Sequence, residues 1–173
     1  ATYVAQSLAG PVLASVQISS VDATGRVALG DSHTCAITND NAMWCWGDNG
    51  SYQLGVGSGG SVPTDSSVPI RVTALSGARI PSQIVAGSTH SCVLATDGTV
   101  WCWGQNSSGQ LGDGTTTATT RPVQVSGITT ATQVVAASVS TCALLSGGTV
   151  KCWGGNDVGQ LGNGTTTRSL VPV

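Results

Sequence analysis

His90-Ser91-Cys92-Val93-Leu94-Ala95-Thr96-Asp97-Gly98-Thr99-Val100-Trp101-Cys102-Trp103-Gly104 is the stretch on which the fold turns, because the chain carries it three times. Its counterparts run from His33 to Gly47 and from Ser140 to Gly154. Each copy is followed by the same turn, Tyr52-Gln53-Leu54-Gly55, Gly109-Gln110-Leu111-Gly112 and Gly159-Gln160-Leu161-Gly162. The copies are spaced by 57 and then 50 residues, and the difference lies in loops, within 56–68 and between Val72 and Ile84. A repeat of this length is one supersecondary unit that buries its apolar face only by stacking on neighbours.

Within a unit the pattern predicts four short strands. Pro122-Val123-Gln124-Val125 opens the unit, and Gln133-Val134-Val135-Ala136, Thr141-Cys142-Ala143-Leu144 and Thr149-Val150-Lys151-Cys152-Trp153 follow. Asp97-Gly98, Gly147-Gly148 and Asn39-Asp40-Asn41 stand where the last two strands reverse, and all suit the positive φ of a tight hairpin. Pro11-Val12-Leu13-Ala14 aligns with the Pro69 and Pro122 strands, and Pro172-Val173 begins the same pattern again. The expected organisation is an N-terminal extension at 1–10, repeats at 11–55, 56–112 and 113–162, and a C-terminal segment at 163–173. Four-stranded units of about 50 residues are propeller blades. The expected fold is all-β, an incomplete propeller unless other chains or further sequence complete it.

Composition agrees. The 173 residues include 24 Gly and 22 Thr, no Phe and no Glu, so strong helix formers are scarce. Charged residues make up 8% and the net charge is −2, which supplies no electrostatic footprint for nucleic acid. No apolar run is long enough to predict a membrane span. An Ala1 start without a leader fits a processed secreted chain or an excised fragment.

The six cysteines form three pairs ten residues apart, centred on Asp40, Asp97 and Gly147. The members of each pair therefore face one another across a hairpin, at a Cα separation of about 4.5 Å if the position is non-hydrogen-bonded. Disulfides Cys35–Cys45, Cys92–Cys102 and Cys142–Cys152 are predicted, against the alternative of buried thiol pairs in a cytosolic propeller. They imply an oxidising compartment, hence a secreted or cell-surface protein. C-x9-C matches no zinc spacing, and no metal or cofactor is expected.

His33 and His90 recur by unit, matched by Ser140, which marks hydrogen-bonding groups of the framework rather than one active-site base. No catalytic residue is assigned. Trp46, Trp103 and Trp153 recur before Gly and are expected to pack between blades. Trp44, Tyr52 and Trp101 do not recur in the third unit and are the candidates for contact with a protein or glycan partner. Tyr3-Val4-Ala5-Gln6-Ser7-Leu8 has no counterpart in any unit and is a candidate assembly strand that adds to a neighbouring subunit. Asn49, Asn106 and Asn163 begin Asn-x-Ser/Thr sequons and are candidate glycosylation sites.

The pattern H-[TS]-C-x-[IL], a turn, W-C-W-G and then G-Q-L-G-x-G resembles the regulator of chromosome condensation repeat family, in the cysteine-bearing version found in secreted bacterial proteins. The resemblance covers Pro11 to Val173 and implies a β-propeller, usually of seven blades. It carries over no activity, because this chain lacks the charged surfaces and aromatic faces through which family members act. Three blades are too few to close a ring. Exposed interblade faces then predict a homo-oligomer or polymer, a ring or a head-to-tail filament of structural or adhesive function. The alternative is a recognition domain of a larger surface protein.

Overall fold

A computed structural model describes residues 25–57 and 63–173. The candidate strand Tyr3–Leu8, the Pro11 strand and part of the 56–68 loop lie outside the described residues. Eleven strands are present among the rest: β1 (Val27–Leu29), β2 (His33–Ile37), β3 (Met43–Asp48), β4 (Asp65–Arg71), β5 (Pro81–Ala86), β6 (His90–Ala95), β7 (Val100–Gly104), β8 (Thr119–Gln124), β9 (Ala131–Ala136), β10 (Ser140–Leu145) and β11 (Val150–Gly154). They form three antiparallel sheets ordered β1-β2-β3-β4, β5-β6-β7-β8 and β9-β10-β11. The fold is all-β, an incomplete propeller.

The tight reversals fall where the sequence puts them. Asn41 (φ 61°), Gly98 (φ 80°) and Gly148 (φ 80°) supply the left-handed residue of the β2–β3, β6–β7 and β10–β11 hairpins. Cys35 faces Cys45, Cys92 faces Cys102 and Cys142 faces Cys152 in register. All three disulfides are formed, with Cα separations of 4.1, 4.1 and 4.0 Å.

The sheets are offset from the sequence units. The Pro69 and Pro122 strands are the last strands of their sheets and not the first of the next: Cys45 pairs with Ile70, and Cys102 with Val123. The third sheet is completed in the same way by the end of the chain. Cys152 and Val173 exchange both backbone hydrogen bonds (3.1 and 3.0 Å), as do Gly154 and Ser169 (2.8 and 3.0 Å). Pro172-Val173 therefore does not begin a further unit: residues 169–173 fill the last strand position of the third sheet. A periodic sequence fixes the contents of a period but not where the sheet is cut, and here pairing with the preceding strand decides.

The sheets stack face to face. One apolar cluster joins Ala28, Cys35, Ile37, Met43 and Cys45 of the first sheet to Ile84, Val93, Ala95, Trp101 and Trp103 of the second. A second joins Cys92, Leu94, Val100 and Cys102 of the second sheet to Val134, Ala143 and Trp153 of the third. Strand alternation gives every sheet two roles, a leading face and a trailing face, so one joint is built twice.

Candidate functional site

Each joint is locked by a relay of side chains. His33 Nε2 lies 2.8 Å from Ser91 Oγ, and the Ser91 hydroxyl donates to the Gln53 carbonyl at 3.0 Å. The Trp103 indole donates to that same carbonyl at 2.9 Å. The second joint repeats this with His90, Thr141, Gln110 and Trp153: 2.9 Å from His90 to Thr141, then 3.1 and 2.9 Å to the Gln110 carbonyl. Because the hydroxyl hydrogen goes to the carbonyl, the histidine Nε2 carries a hydrogen and donates it. A base that gives a proton to a hydroxyl cannot activate it, so His33–Ser91 is a brace and not a nucleophile–base pair.

Burial disfavours the charged form of both imidazoles. His90 is pushed down to about 4 by desolvation, with a smaller contribution from His33. His33 is lowered by burial against the opposing pull of Asp48 and Asp31. Nδ1 of each ring is buried without a hydrogen-bond partner, so a proton there finds no acceptor.

Glycine makes room for the ring. A methyl on Gly30 or Gly87 would collide with the ring of His33 or His90 and with the backbone carbonyl of the next sheet, that of Gly87 or Ala137. In the third sheet the pair changes together, to Ala137 and Ser140.

The Gln carbonyls are aimed by a buried asparagine. Leu54 N–H donates to Asn49 Oδ1 (3.0 Å), Leu111 N–H to Asn106 Oδ1 (3.0 Å) and Leu161 N–H to Asn156 Oδ1 (2.9 Å). The Nδ2 atoms of Asn49 and Asn106 donate inward, to the Pro63 carbonyl at 2.7 Å and to the Thr115 and Thr117 carbonyls at 3.1 and 3.2 Å. A glycan amide must reach solvent, so Asn49 and Asn106 are corrected from candidate acceptors to loop braces. Their recurrence as Asn156, which has no sequon, was the available signal. Asn163 is exposed. Expression in a glycosylating host is expected to modify Asn163 alone, read by intact mass with Asn163→Gln as control; a glycan on Asn106 would contradict this placement.

Trp103 and Trp153 are fully buried in the joints, whereas Trp46 at the same position of the first sheet is only half-buried. Trp101 is not an outer contact residue. It is buried between the first two sheets, its indole donates to Thr99 Oγ1 at 2.9 Å, and the Arg79 guanidinium covers its ring at 5.1 Å. Trp44, its counterpart, is half-buried on the leading face of the first sheet. Tyr52 is exposed and holds φ 67° where the other copies have Gly109 and Gly159.

Among the described residues, two surfaces carry the residues of a joint and keep large apolar side chains exposed. On the trailing face of the third sheet, Val135 is 50% and Val150 58% exposed, and with Gln133, Cys142 and Leu144 they line a shallow apolar recess. On the leading face of the first sheet, Val27 is 45% and Leu29 75% exposed. No cluster of metal-ligating side chains occurs among the described residues, and no helix long and apolar enough to cross a membrane occurs among them.

Models of the regulator of chromosome condensation (RCC1) repeat match residues 26–53, 82–110 and 132–160, and, in a second form, 40–94 and 97–144. The E3 ubiquitin-protein ligase HERC2 of Homo sapiens is 37% identical over 109 residues, 62% of this chain and 2% of that protein. Among solved structures, human WBSCR16 superposes with a TM-score of 0.74 at 25% identity, over 85% of this chain and 38% of that one. Prp20p of Saccharomyces cerevisiae, in a structure reported with its binding properties to Gsp1p and histones, gives 0.73 at 25%, over 85% and 37%. The chain thus spans well under half the length of each.

Proposed function

The chain belongs to the regulator of chromosome condensation repeat family, and from that premise we propose that it is a non-enzymatic, secreted structural repeat protein whose three-sheet stacks join head to tail into a ring or filament. Repeats of this family build propellers that mediate protein interactions, and HERC2 is matched over the repeat region and not over a whole ligase. The observation that carries the reading is the pair of end faces. Val135 and Val150 occupy the positions of Val85 and Val100, and Val27 that of Ile84 and Val134, yet the internal residues are covered and the terminal ones are not.

Apolar surface of this kind favours association, at roughly 25 cal/mol per Å² removed from water. Two copies bring about six sheets, within the range of about four to eight that closes a propeller. Three formed disulfides support an oxidising, extracellular setting. Sedimentation velocity over a wide concentration range, with electron microscopy of the same sample, tests the proposal. Species at multiples of the chain mass, seen as rings or filaments, are expected; a monomer at every concentration overturns it.

A second reading rests on Tyr52. A tyrosine held at φ 67° and exposed is a strained, rigid aromatic of the sort found at binding surfaces. In this reading the chain is a recognition segment of a larger surface protein, contacting a protein or glycan through Trp44 and Tyr52. A monomer that captures such a ligand, and loses it on Tyr52→Gly, favours it.

A further inference from the structure

Two Asn-Gly dipeptides occur in the chain, Asn49-Gly50 and Asn163-Gly164, and as sequence they are equivalent. Glycine after asparagine leaves the backbone nitrogen unscreened by a side chain, so that nitrogen can attack the neighbouring carboxamide and close a five-membered ring. The structure separates the two.

At Asn49 every participant is engaged. The residue is buried, its Nδ2 donates to the Pro63 carbonyl at 2.7 Å, and its Oδ1 accepts from Leu54 N–H at 3.0 Å. The attacking group is tied as well. Gly50 N–H donates to the Asp48 carboxylate at 3.1 Å, and the negative charge there opposes loss of its proton.

At Asn163 the arrangement is reversed. Asn163 and Gly164 are both exposed, and among the described residues neither the Asn163 Nδ2 nor the Gly164 N–H donates a hydrogen bond. Only Oδ1 is held. It accepts from Thr165 N–H at 3.1 Å, from the Thr165 hydroxyl at 2.9 Å and from Asn156 Nδ2 at 3.4 Å. The bond from Thr165 N–H folds the carboxamide back over the Asn163–Gly164 peptide. All three donors face the oxygen on which negative charge develops as the ring closes.

The same cradle accepts the product. One repeat earlier a carboxylate occupies it: Asp113 Oδ1 accepts from Thr115 N–H at 2.9 Å, from the Thr115 hydroxyl at 2.9 Å and from Asn106 Nδ2 at 3.2 Å.

We propose that Asn163 is a self-modification site, at which the folded loop converts asparagine to aspartate by spontaneous deamidation. Gly164 N gives its proton to solvent base and bonds to Asn163 Cγ; the Cγ–Nδ2 bond breaks and the nitrogen leaves as ammonia. Water then adds to the succinimide and opens the ring. Attack at Cγ gives aspartate, and attack at the backbone carbonyl carbon gives isoaspartate, with the chain routed through Cβ. In sum one water enters and one ammonia leaves, with no oxidation or reduction. Each event adds one negative charge and destroys the Asn163-Gly164-Thr165 sequon, so a glycan and deamidation compete for one side chain.

Ageing the full chain at mildly alkaline pH with its disulfides intact, followed by ion exchange and peptide mass mapping, tests this. Asn163 is expected to convert more than about tenfold faster than Asn49, whose reaction must first break its hydrogen bonds. In urea, with the disulfides reduced, the two sites should converge. Equal rates in the folded chain, or an Asn163 that converts only after unfolding, overturn the proposal. Asn163→Gln closes only a less favoured six-membered ring and is expected to lose the early acidic species; its persistence at the same rate overturns the assignment. Asn163→Asp is expected to elute with the acidic product and to unfold at the wild-type midpoint. A lowered midpoint would overturn the fit of the carboxylate to this cradle.

Discussion

Replacing Trp103 by alanine is expected to lower the stability of the chain by about 3–5 kcal/mol, the range for truncating a fully buried aromatic side chain. The same change at Trp46 should cost far less. Both residues occupy one repeat position, but Trp103 is enclosed between the first and second sheets and gives its indole hydrogen to the Gln53 carbonyl at 2.9 Å. Trp103→Ala therefore opens a cavity beside Ile84 and Val93 and strips that carbonyl of one donor. Trp46 is half-buried on the leading face of the first sheet. Its substitution should act on association between copies instead. Thermal unfolding checks the first effect, with an expected drop of about 10 °C or more for Trp103→Ala, and sedimentation checks the second. Equal destabilisation by the two variants would mean that the leading face of the first sheet is a finished core.

Acid is expected to be the second large lever. His90 titrates at about 4 in the folded chain, against an ordinary value of 6.5, because burial disfavours the imidazolium. Below its ordinary value the unfolded chain takes up a proton that the folded chain refuses until about pH 4. Stability is thus complete above about pH 6.5 and falls through the window down to about 4, at ~1.4 kcal/mol per pH unit. His90 alone removes about 3 kcal/mol across that window, and His33 acts in the same direction. Asp40 and Asp97, held below their ordinary values chiefly by hydrogen bonds from Thr38 and Thr99, act only at still lower pH. Urea unfolding at pH 7 and pH 4.5 with the disulfides intact measures the loss. In His90→Ser, the residue that the third sheet uses at Ser140, the slope should shrink to that of His33. An unchanged slope would show that His90 is not the group responsible.

What was legible in the sequence is what recurrence and local geometry carry. The hairpin midpoints at Asp40, Asp97 and Gly147 placed the cysteine pairs, and one-residue alternation placed Trp103 and Trp153 on an interblade face. What was not legible depends on neighbours far along the chain. Trp101 reads as an outer residue because Lys151 replaces it in the third copy, yet the first sheet and Arg79 bury it. The end of the chain reads as the start of another blade, yet it pairs backwards with β11. Asn49 and Asn106 read as sequons because a sequon is a linear pattern, whereas the loop that consumes their amides closes through residues farther along the chain.

Glycine and histidine change together in the third sheet. In both joints a bare glycine lets a histidine ring and the backbone of the next sheet fit together, and in the third sheet both residues are replaced, by Ala137 and Ser140. The trailing face of the third sheet keeps its apolar residues, its glutamine and its carbonyl acceptor while losing the brace.

The most direct test of the proposed assembly is a cryo-electron microscopy reconstruction of the purified native protein at a resolution that shows side chains. Head-to-tail assembly predicts the leading face of the first sheet of one copy on the trailing face of the third sheet of the next, with the Trp46 indole within hydrogen-bond distance of the Gln160 carbonyl. Copies related by a two-fold axis, joined first sheet to first sheet or third to third, would contradict it.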